Sequence, residues 1–293
     1  MSNDDVFLVR YRTPDGTAAL GLEQGGVVSP LGGTQLDWLL SDAADAPAAA
    51  NLIDTLRRAA QTPSPAAISV LAPVDGQEIW ASGVTYKRSE EAREAESHNS
   101  TIYTRVYSAV RPELFFKANG YEAVGVGDQV GIRYDAAWSV PEPELVVVLN
   151  ARMEVVGFTI GNDMSSRDIE GENPLYLPQA KVYERACAVG PRLQPGAAAF
   201  PELGIDLKIE RGGQVVFSRR ITAALRKLAE LVEYLGRCKR YPRGVYLFTG
   251  TGVVPPDTFT LAEGDVIRIR IDPIGELVNT VSVVTSARKA AAA

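Results

Sequence analysis

The stretch Pro141-Glu142-Pro143-Glu144-Leu145-Val146-Val147-Val148 decides how this chain is interpreted. Its last four residues are apolar and mostly β-branched, which favours a buried strand. In extended backbone, side chains two residues apart point to the same face, so Glu142 and Glu144 would lie side by side next to a core. Two such anions repel each other unless a cation compensates them, and a hard divalent cation prefers oxygen ligands. The alternative is that both glutamates are solvated residues at the end of a strand.

A third carboxylate, Asp163, follows the next strand-like run, Val155 to Ile160. A turn predicted at residues 150–154 makes the two runs a hairpin, which would bring Asp163 beside Glu142 and Glu144. Three carboxylates with open positions suit Mg²⁺, although Mn²⁺ and Ca²⁺ overlap with it in oxygen-rich sites. Taken alone, Asp163 is better explained as a turn residue or a helix N-cap.

Short β-favouring runs separated by turn residues dominate the chain, and few segments have the periodicity of a helix. The clearest predicted helix covers residues 222–239, where leucines and valines recur at helical spacing between charged residues. The predicted class is therefore α+β and β-rich. A Pro-rich segment at 61–65 resembles a linker, which places a small N-terminal α/β domain at 1–70 and the main domain at 71–293.

The composition is that of an ordinary globular chain: 293 residues, 46% hydrophobic and 23% charged. The net charge of −6 disfavours nucleic acids and anionic membranes as partners, because both require basic patches. Two cysteines cannot form a disulfide framework, and the acidic N-terminus does not look like a signal peptide. These features predict a cytoplasmic protein.

Other residues with chemical potential are less specific. A lone lysine such as Lys181 is usually a solvated charge, but near a metal it could pair with a substrate carboxylate or stabilise an enolate. Glu113 is equally explained as a surface residue or as a general base. His98 is the single histidine, which excludes metal sites built from several histidines and weakens a Ser–His or Cys–His mechanism. The segment Phe248 to Gly252 lacks the pattern of a phosphate-binding loop and is better explained as a strand-end loop with N–H and hydroxyl donors.

Several motifs occur in a fixed order over about residues 79–283, and together they resemble the core of the fumarylacetoacetate hydrolase family. The matching segments are Glu142 to Val148, Gly157 to Asp168, Lys181, Gly190-Pro191, Thr249 to Thr251, Gly264-Asp265 and Gly275 to Asn279. The resemblance implies a mixed β-sandwich roll and a homo-oligomer, a dimer or a tetramer. It also implies a divalent metal held by Glu142, Glu144 and Asp163, with Lys181 and Thr251 facing a 2-oxo acid or 1,3-dicarbonyl substrate.

One departure from the family narrows the activity. Hydrolase members carry a histidine where this chain has Ser89, and His98 lies too far along to replace it simply. The stretches GVTYKRSEEAREAES, RPELFFK and GENPLYLPQAKVYERA resemble instead the branch of 2-keto-3-deoxy-D-arabinonate dehydratases. That likeness implies dehydration of a 2-keto-3-deoxy sugar acid to 2,5-dioxopentanoate, a step of pentose catabolism.

On this hypothesis, Lys181 and Glu113 are the main candidates for proton transfer, with Glu90 and Glu91 as weaker ones. Tyr86 and Arg88 would bind the hydroxyl end of the substrate. Two alternatives remain open from the sequence. One is a C–C hydrolase or decarboxylase that acts on an acylpyruvate or another 2-oxo acid. The other is a protein that binds a metal or a ligand without catalysis.

Overall fold

A computed structural model describes residues 6–63, 68–83, 109–196, 203–223 and 228–285. These residues form two β-sheets, of ten and five strands, with a few short helices. The β-rich α+β class expected from the sequence is confirmed. The ten-stranded sheet contains β1 (Val6–Arg12), β2 (Ala18–Gln24), β3 (Val27–Pro30), β4 (Ser69–Leu71), β5 (Glu78–Gly83), β6 (Glu113–Asn119), β8 (Ser139–Leu149), β9 (Val155–Ser166), β10 (Cys187–Pro195) and β13 (Val245–Phe248).

The five-stranded sheet covers one face of the larger sheet, and short helices fill the connections. Its strands are β7 (Gln129–Arg133), β11 (Leu203–Arg211), β12 (Gln214–Ala223), β14 (Val266–Ile271) and β15 (Gly275–Val284). The helices are α1 (Leu36–Leu40), α2 (Leu52–Ala59), α3 (Arg167–Glu172), α4 (Leu177–Lys181) and α5 (Leu228–Gly236). Within the described ranges, no helix is long and apolar enough to cross a bilayer.

The helix predicted over 222–239 is shorter than expected. Thr222 and Ala223 belong to β12, where they pair with Gly204 and Leu203 of β11. The described part of the helix is α5, whose Leu231 and Leu235 enter the core. These two residues form a strand because they hydrogen-bond across the hairpin, although the local spacing of apolar residues had favoured a helix.

The N-terminal strands continue the large sheet. Strand β1 pairs with β10 and also with β4, so the chain crosses the proposed boundary at residue 70 inside the sheet. Helices α1 and α2 are separate elements on either side of Pro47. The division into domains at residue 70 stays a prediction.

Successive side chains of β8 point alternately into two hydrophobic cores. Leu145, Val147 and Leu149 point into the layer between the two sheets, whereas Val146 and Val148 pack on the opposite side with the N-terminal helices. Complete burial of each such side chain stabilises the fold by about 1.5–3 kcal/mol, which fixes the register of the strand. Residues 142 and 144 have the parity of Val146 and Val148, so both glutamates are carried to this second face.

The large sheet is strongly curled. Part of its strand order runs β9-β8-β13-β5-β6, so β6 and β9 are four strand spacings apart. A flat sheet would separate them by about 19 Å. Side chains of β6 nevertheless contact β9, which places the second face inside a concave surface.

Candidate metal centre and active site

The three carboxylates predicted from the sequence meet on this concave surface. Glu142 of β8 lies directly opposite Asp163 of β9, and Glu144 lies opposite Gly161 two positions further. One oxygen from each carboxylate lies within 4.8 Å of the others. Opposite oxygens around a single six-coordinate hard ion are about 4–5 Å apart, so one ion fits the span. All three residues are at most 3% exposed.

Two of the carboxylates are neutralised by buried protein cations. The Lys181 ammonium lies 3.0 Å from Glu142 Oε2 and 3.0 Å from Asp163 Oδ2. Arg167 Nη2 approaches Glu142 Oε1 at 2.8 Å, and Lys117 Nζ approaches Asp163 Oδ1 at 2.5 Å. Each charge pair is buried, so removal of one partner would leave an uncompensated charge.

Glu144 differs from the other two carboxylates. Among the described residues, no lysine or arginine lies within ion-pair distance of it. Its Oε2 accepts a hydrogen bond of 2.5 Å from the backbone N–H of Gly250. Burial, together with the nearby carboxylates of Asp163 and Glu142, raises the pKa of Glu144 well above its ordinary value. A divalent cation would stabilise the ionised form, so this all-oxygen donor set fits Mg²⁺.

Lys181 comes from the last position of α4 and is completely buried. Its Nζ also donates to Ser165 Oγ at 2.5 Å and lies 5.9 Å from the centre of the Phe115 ring. Lys181 is therefore not a solvated surface residue, which is the usual environment of a lysine. The ammonium lies against two of the proposed metal ligands, where it can donate to an oxygen of a bound molecule.

The loop after β13 closes one side of the triad. Thr249 Oγ1 donates to Leu145 O, and Thr251 Oγ1 donates to Pro143 O, at 2.9 Å in both cases. These bonds fasten the loop to the strand that carries both glutamates, and Gly250 supplies its N–H to Glu144. The strand-end loop with N–H and hydroxyl donors is confirmed as local structure, and the contact of Thr251 with a substrate stays a prediction.

Two glycines leave room for site residues. A Cβ on Gly161 would lie 2.2 Å from Phe248 Cε1, so the absence of a side chain lets this ring pack against β9 beside Glu144. A Cβ on Gly83 would overlap the carboxylate of Glu113. Glu113 is half-buried at the start of β6, the strand that also carries Phe115 and Lys117. Its use as a base stays a prediction, and Tyr86, Arg88, Glu90, Glu91 and His98 lie outside the described residues.

Sequence reasoning missed three residues that contact the carboxylates or Lys181: Lys117, Arg167 and Ser165. A signal was present for two of them. Lys117 interrupts the apolar run Leu114 to Ala118, where a charged residue requires compensation. Arg167 follows Asp163 within the strand-end motif, and a buried acidic site calls for cations nearby.

The family model described as fumarylacetoacetate (FAA) hydrolase, C-terminal, matches residues 78–282. This chain belongs to the fumarylacetoacetate hydrolase family. The residues that match this family model include β8, β9, α4 and the loop after β13, which carry the proposed metal ligands, Lys181 and Thr251.

Two curated relatives from archaea are dehydratases by name. A probable 2-keto-3-deoxyxylonate dehydratase of Haloferax volcanii is 50% identical over 216 residues, which cover 72% of this chain and 74% of the relative. A 2-dehydro-3-deoxy-D-arabinonate dehydratase of Saccharolobus solfataricus is 41% identical over 222 residues, which cover 73% and 74% of the two chains.

A solved structure extends the similarity to almost the whole fold. It is a 2-keto-3-deoxy-D-arabinonate dehydratase complexed with magnesium and 2,5-dioxopentanoate. The TM-score is 0.78 at 33% sequence identity, with 96% of this chain and 100% of that chain covered. The mixed β-sandwich roll implied by the sequence motifs is thus confirmed.

Proposed function

We propose that this protein is a Mg²⁺-dependent hydro-lyase that converts a 2-keto-3-deoxy pentonate of the arabinonate type into 2,5-dioxopentanoate. The observation that carries the proposal is the buried triad of Glu142, Glu144 and Asp163 with the Lys181 ammonium against two of its members. The relatives named as dehydratases of such sugar acids support the same substrate class. Mn²⁺ or Ca²⁺ would fit the same oxygen donors.

The triad would hold the metal, which when bound acts as a Lewis acid toward the 2-oxo acid group. Lys181 would donate a hydrogen bond to the oxygen that gains negative charge as the C3 proton leaves. Glu113 is the proposed base for that proton. Thr251 would contact the substrate carboxylate. Tyr86 and Arg88 would contact the hydroxyl end of the substrate.

The overall reaction is balanced without an oxidant or a reductant. Loss of the C3 proton and of the C4 hydroxyl as water leaves a C3=C4 double bond. A C5 proton then leaves while C3 regains one, which gives an enol at C5. Transfer of the enol O–H proton to C4 yields the aldehyde of 2,5-dioxopentanoate. The protein needs one base that can release its proton again, which a carboxylate does.

Product analysis tests the activity. Purified protein with Mg²⁺ and 2-keto-3-deoxy-D-arabinonate is expected to yield 2,5-dioxopentanoate. NMR detects the aldehyde group of this product. The Glu144→Gln variant is the control without a complete metal site. Cleavage of an acylpyruvate without turnover of deoxy sugar acids would contradict the proposal and favour a hydrolase.

The roles of Lys181 and Glu113 are tested by matched variants. Lys181→Met and Glu113→Gln should each lose about a hundredfold or more in kcat, the scale of general acid–base catalysis. Both should still bind Mg²⁺ in calorimetry, because neither residue is a proposed ligand. Full activity of Glu113→Gln would remove Glu113 from the mechanism.

We also propose that the protein is a homo-oligomer, a dimer or a tetramer, and acts in the cytoplasm. Both cysteines are free, one buried and one exposed, as expected for a reducing compartment. Light scattering of the purified protein measures its mass, and a monomer at micromolar concentration would contradict the oligomer. Fluorescence microscopy of a tagged chain in its native host tests the location.

A further inference from the structure

One buried ammonium joins three parts of the proposed site. Lys117 Nζ lies 2.5 Å from Asp163 Oδ1, 3.1 Å from the main-chain oxygen of Met164 and 2.5 Å from the main-chain oxygen of Lys181. Its side chain is 0% exposed. Burial of a lysine is unfavourable unless the charge is paired and its donors are satisfied, and both conditions are met here.

Strand β6 delivers this side chain through an irregularity. Ile79 and Trp80 are adjacent on β5, but they pair with Ala118 and Phe116, so Lys117 is the additional residue of a β-bulge. A bulge redirects the side chain of the extra residue and bends the strand. The curl of the sheet then brings this position across the concave surface to β9.

The contacts of this ammonium suit a structural link rather than proton transfer, because two of its three acceptors are main-chain oxygens. An ammonium group has three N–H donors and no lone pair, and Lys117 uses its donors on three acceptors. Two of these acceptors belong to residues with a proposed function, the carboxylate of Asp163 and the backbone of Lys181. The third belongs to Met164, the residue after Asp163.

We infer that Lys117 is a positioning residue that fixes the end of α4 to β9, so that Asp163 and the Lys181 ammonium keep one relative position. The inference rests on the proposed function, because Lys181 is the group that would contact the substrate. Lys181 also has side-chain contacts of its own, with Glu142, Asp163 and Ser165. The Lys117 bond to the Lys181 carbonyl adds the main-chain restraint that these side-chain contacts lack.

The Lys117→Met variant removes the charge and the three donors while it keeps an unbranched side chain. We expect kcat to fall about tenfold to a hundredfold, the cost of a small misplacement of a reacting group, while KM changes by less than about threefold. Mg²⁺ affinity in calorimetry should be unchanged or tighter, because a cation beside Asp163 is removed. Lys208→Met, which removes a half-buried lysine paired with Glu210 at 2.7 Å, is the matched control.

A double-mutant cycle separates positioning from a general structural effect. If Lys117 acts through Lys181, Lys117→Met should lower kcat little further once Lys181→Met is present. Multiplication of the two effects, or turnover of Lys117→Met within about threefold of the parent protein, would overturn the inference. Loss of Mg²⁺ binding together with turnover would also overturn it.

Hydrogen exchange gives a readout that does not depend on activity. Lys117→Met should increase amide exchange in α4 by about tenfold or more and leave exchange in β14 unchanged. Unchanged exchange in α4 would refute positioning even if the parent protein turned over no sugar acid. Lys117→Arg keeps the charge but cannot present three tetrahedral donors, so the same changes should appear in weaker form. If neither variant melts as a folded protein, Lys117 is structural and the inference fails.

Discussion

Lys117 and Asp163 form a buried ion pair of 2.5 Å, although three strands separate the strands that carry them. Strand β6 is the edge of the large sheet, and β9 lies beyond β5, β13 and β8. The contact therefore depends on the curl of the sheet and on no local feature of the chain. It also makes Asp163 different in kind from Glu144, whose partner in the described residues is a backbone N–H.

This difference predicts opposite effects on stability for two variants that both damage the metal site. Asp163→Asn leaves Lys117 buried without its carboxylate partner and leaves Lys181 paired with Glu142 alone, so the metal-free protein should lose about 3 kcal/mol of unfolding free energy. Glu144→Gln keeps an acceptor for Gly250 and removes a repelled charge, so its metal-free stability should be equal or higher. Thermal and urea unfolding in a chelator measure both.

In both variants, Mg²⁺ affinity in calorimetry should fall by about a hundredfold or more, because one anionic oxygen ligand is replaced by a neutral amide. Equal loss of stability in the two variants would contradict the assigned charge pairing. Retained Mg²⁺ affinity in both would remove the triad as the metal site.

Gly161 is predicted to admit no side chain. In Gly161→Ala, the new Cβ would meet Phe248 Cε1 at 2.2 Å and Val146 Cγ2 at 2.5 Å, so we expect a loss of about 1–3 kcal/mol. Displacement of Phe248 would also move the loop that bonds Glu144, and Mg²⁺ affinity should weaken.

The matched control is Gly204→Ala in β11, whose Cβ would have its three nearest contacts with the flexible end of the Arg220 side chain. This substitution should change the unfolding free energy by less than about 1 kcal/mol. Equal effects of the two substitutions, measured by urea unfolding, would show that Gly161 is not a packing requirement.

Thr251 is expected to act through its hydroxyl. Thr251→Val removes a donor to the Pro143 carbonyl and should cost about 1–2 kcal/mol, whereas Thr251→Ser keeps the donor. If the hydroxyl also contacts the substrate, KM should rise in the valine variant and stay near the parent value in the serine variant. Parallel unfolding and steady-state measurements separate these two contributions.

The two cysteines should differ in reactivity. Burial raises the pKa of the Cys187 thiol to about 12, whereas Cys238 is exposed. A raised thiol pKa keeps Cys187 protonated at pH 8, and the neutral thiol is a poor nucleophile. A disulfide reagent at pH 8 should therefore titrate one thiol in the native protein and two after unfolding. Rapid reaction of both native thiols would show that Cys187 is accessible.

The local sequence was enough to predict part of the site. Alternation along β8 placed Glu142 and Glu144 on one face, and the turn after Leu149 predicted the hairpin that brings Asp163 opposite Glu142. These relationships involve neighbours in the chain, and strand periodicity governs them. The prediction of a helix from residue 222 was wrong at its start, because the local spacing of apolar residues did not reveal the pairing with β11.

The sequence by itself determined the β-rich class, the hairpin of three carboxylates and the family motifs that point to a metal-dependent lyase, because each depends on short-range alternation or on linear order. Only the tertiary structure showed that Lys117, Arg167 and Lys181 meet these carboxylates. The contact of Lys117 requires the curl of the large sheet, and the contact of Lys181 requires the docking of α4. Those are set by the packing of the two cores, which no local pattern in the chain specifies.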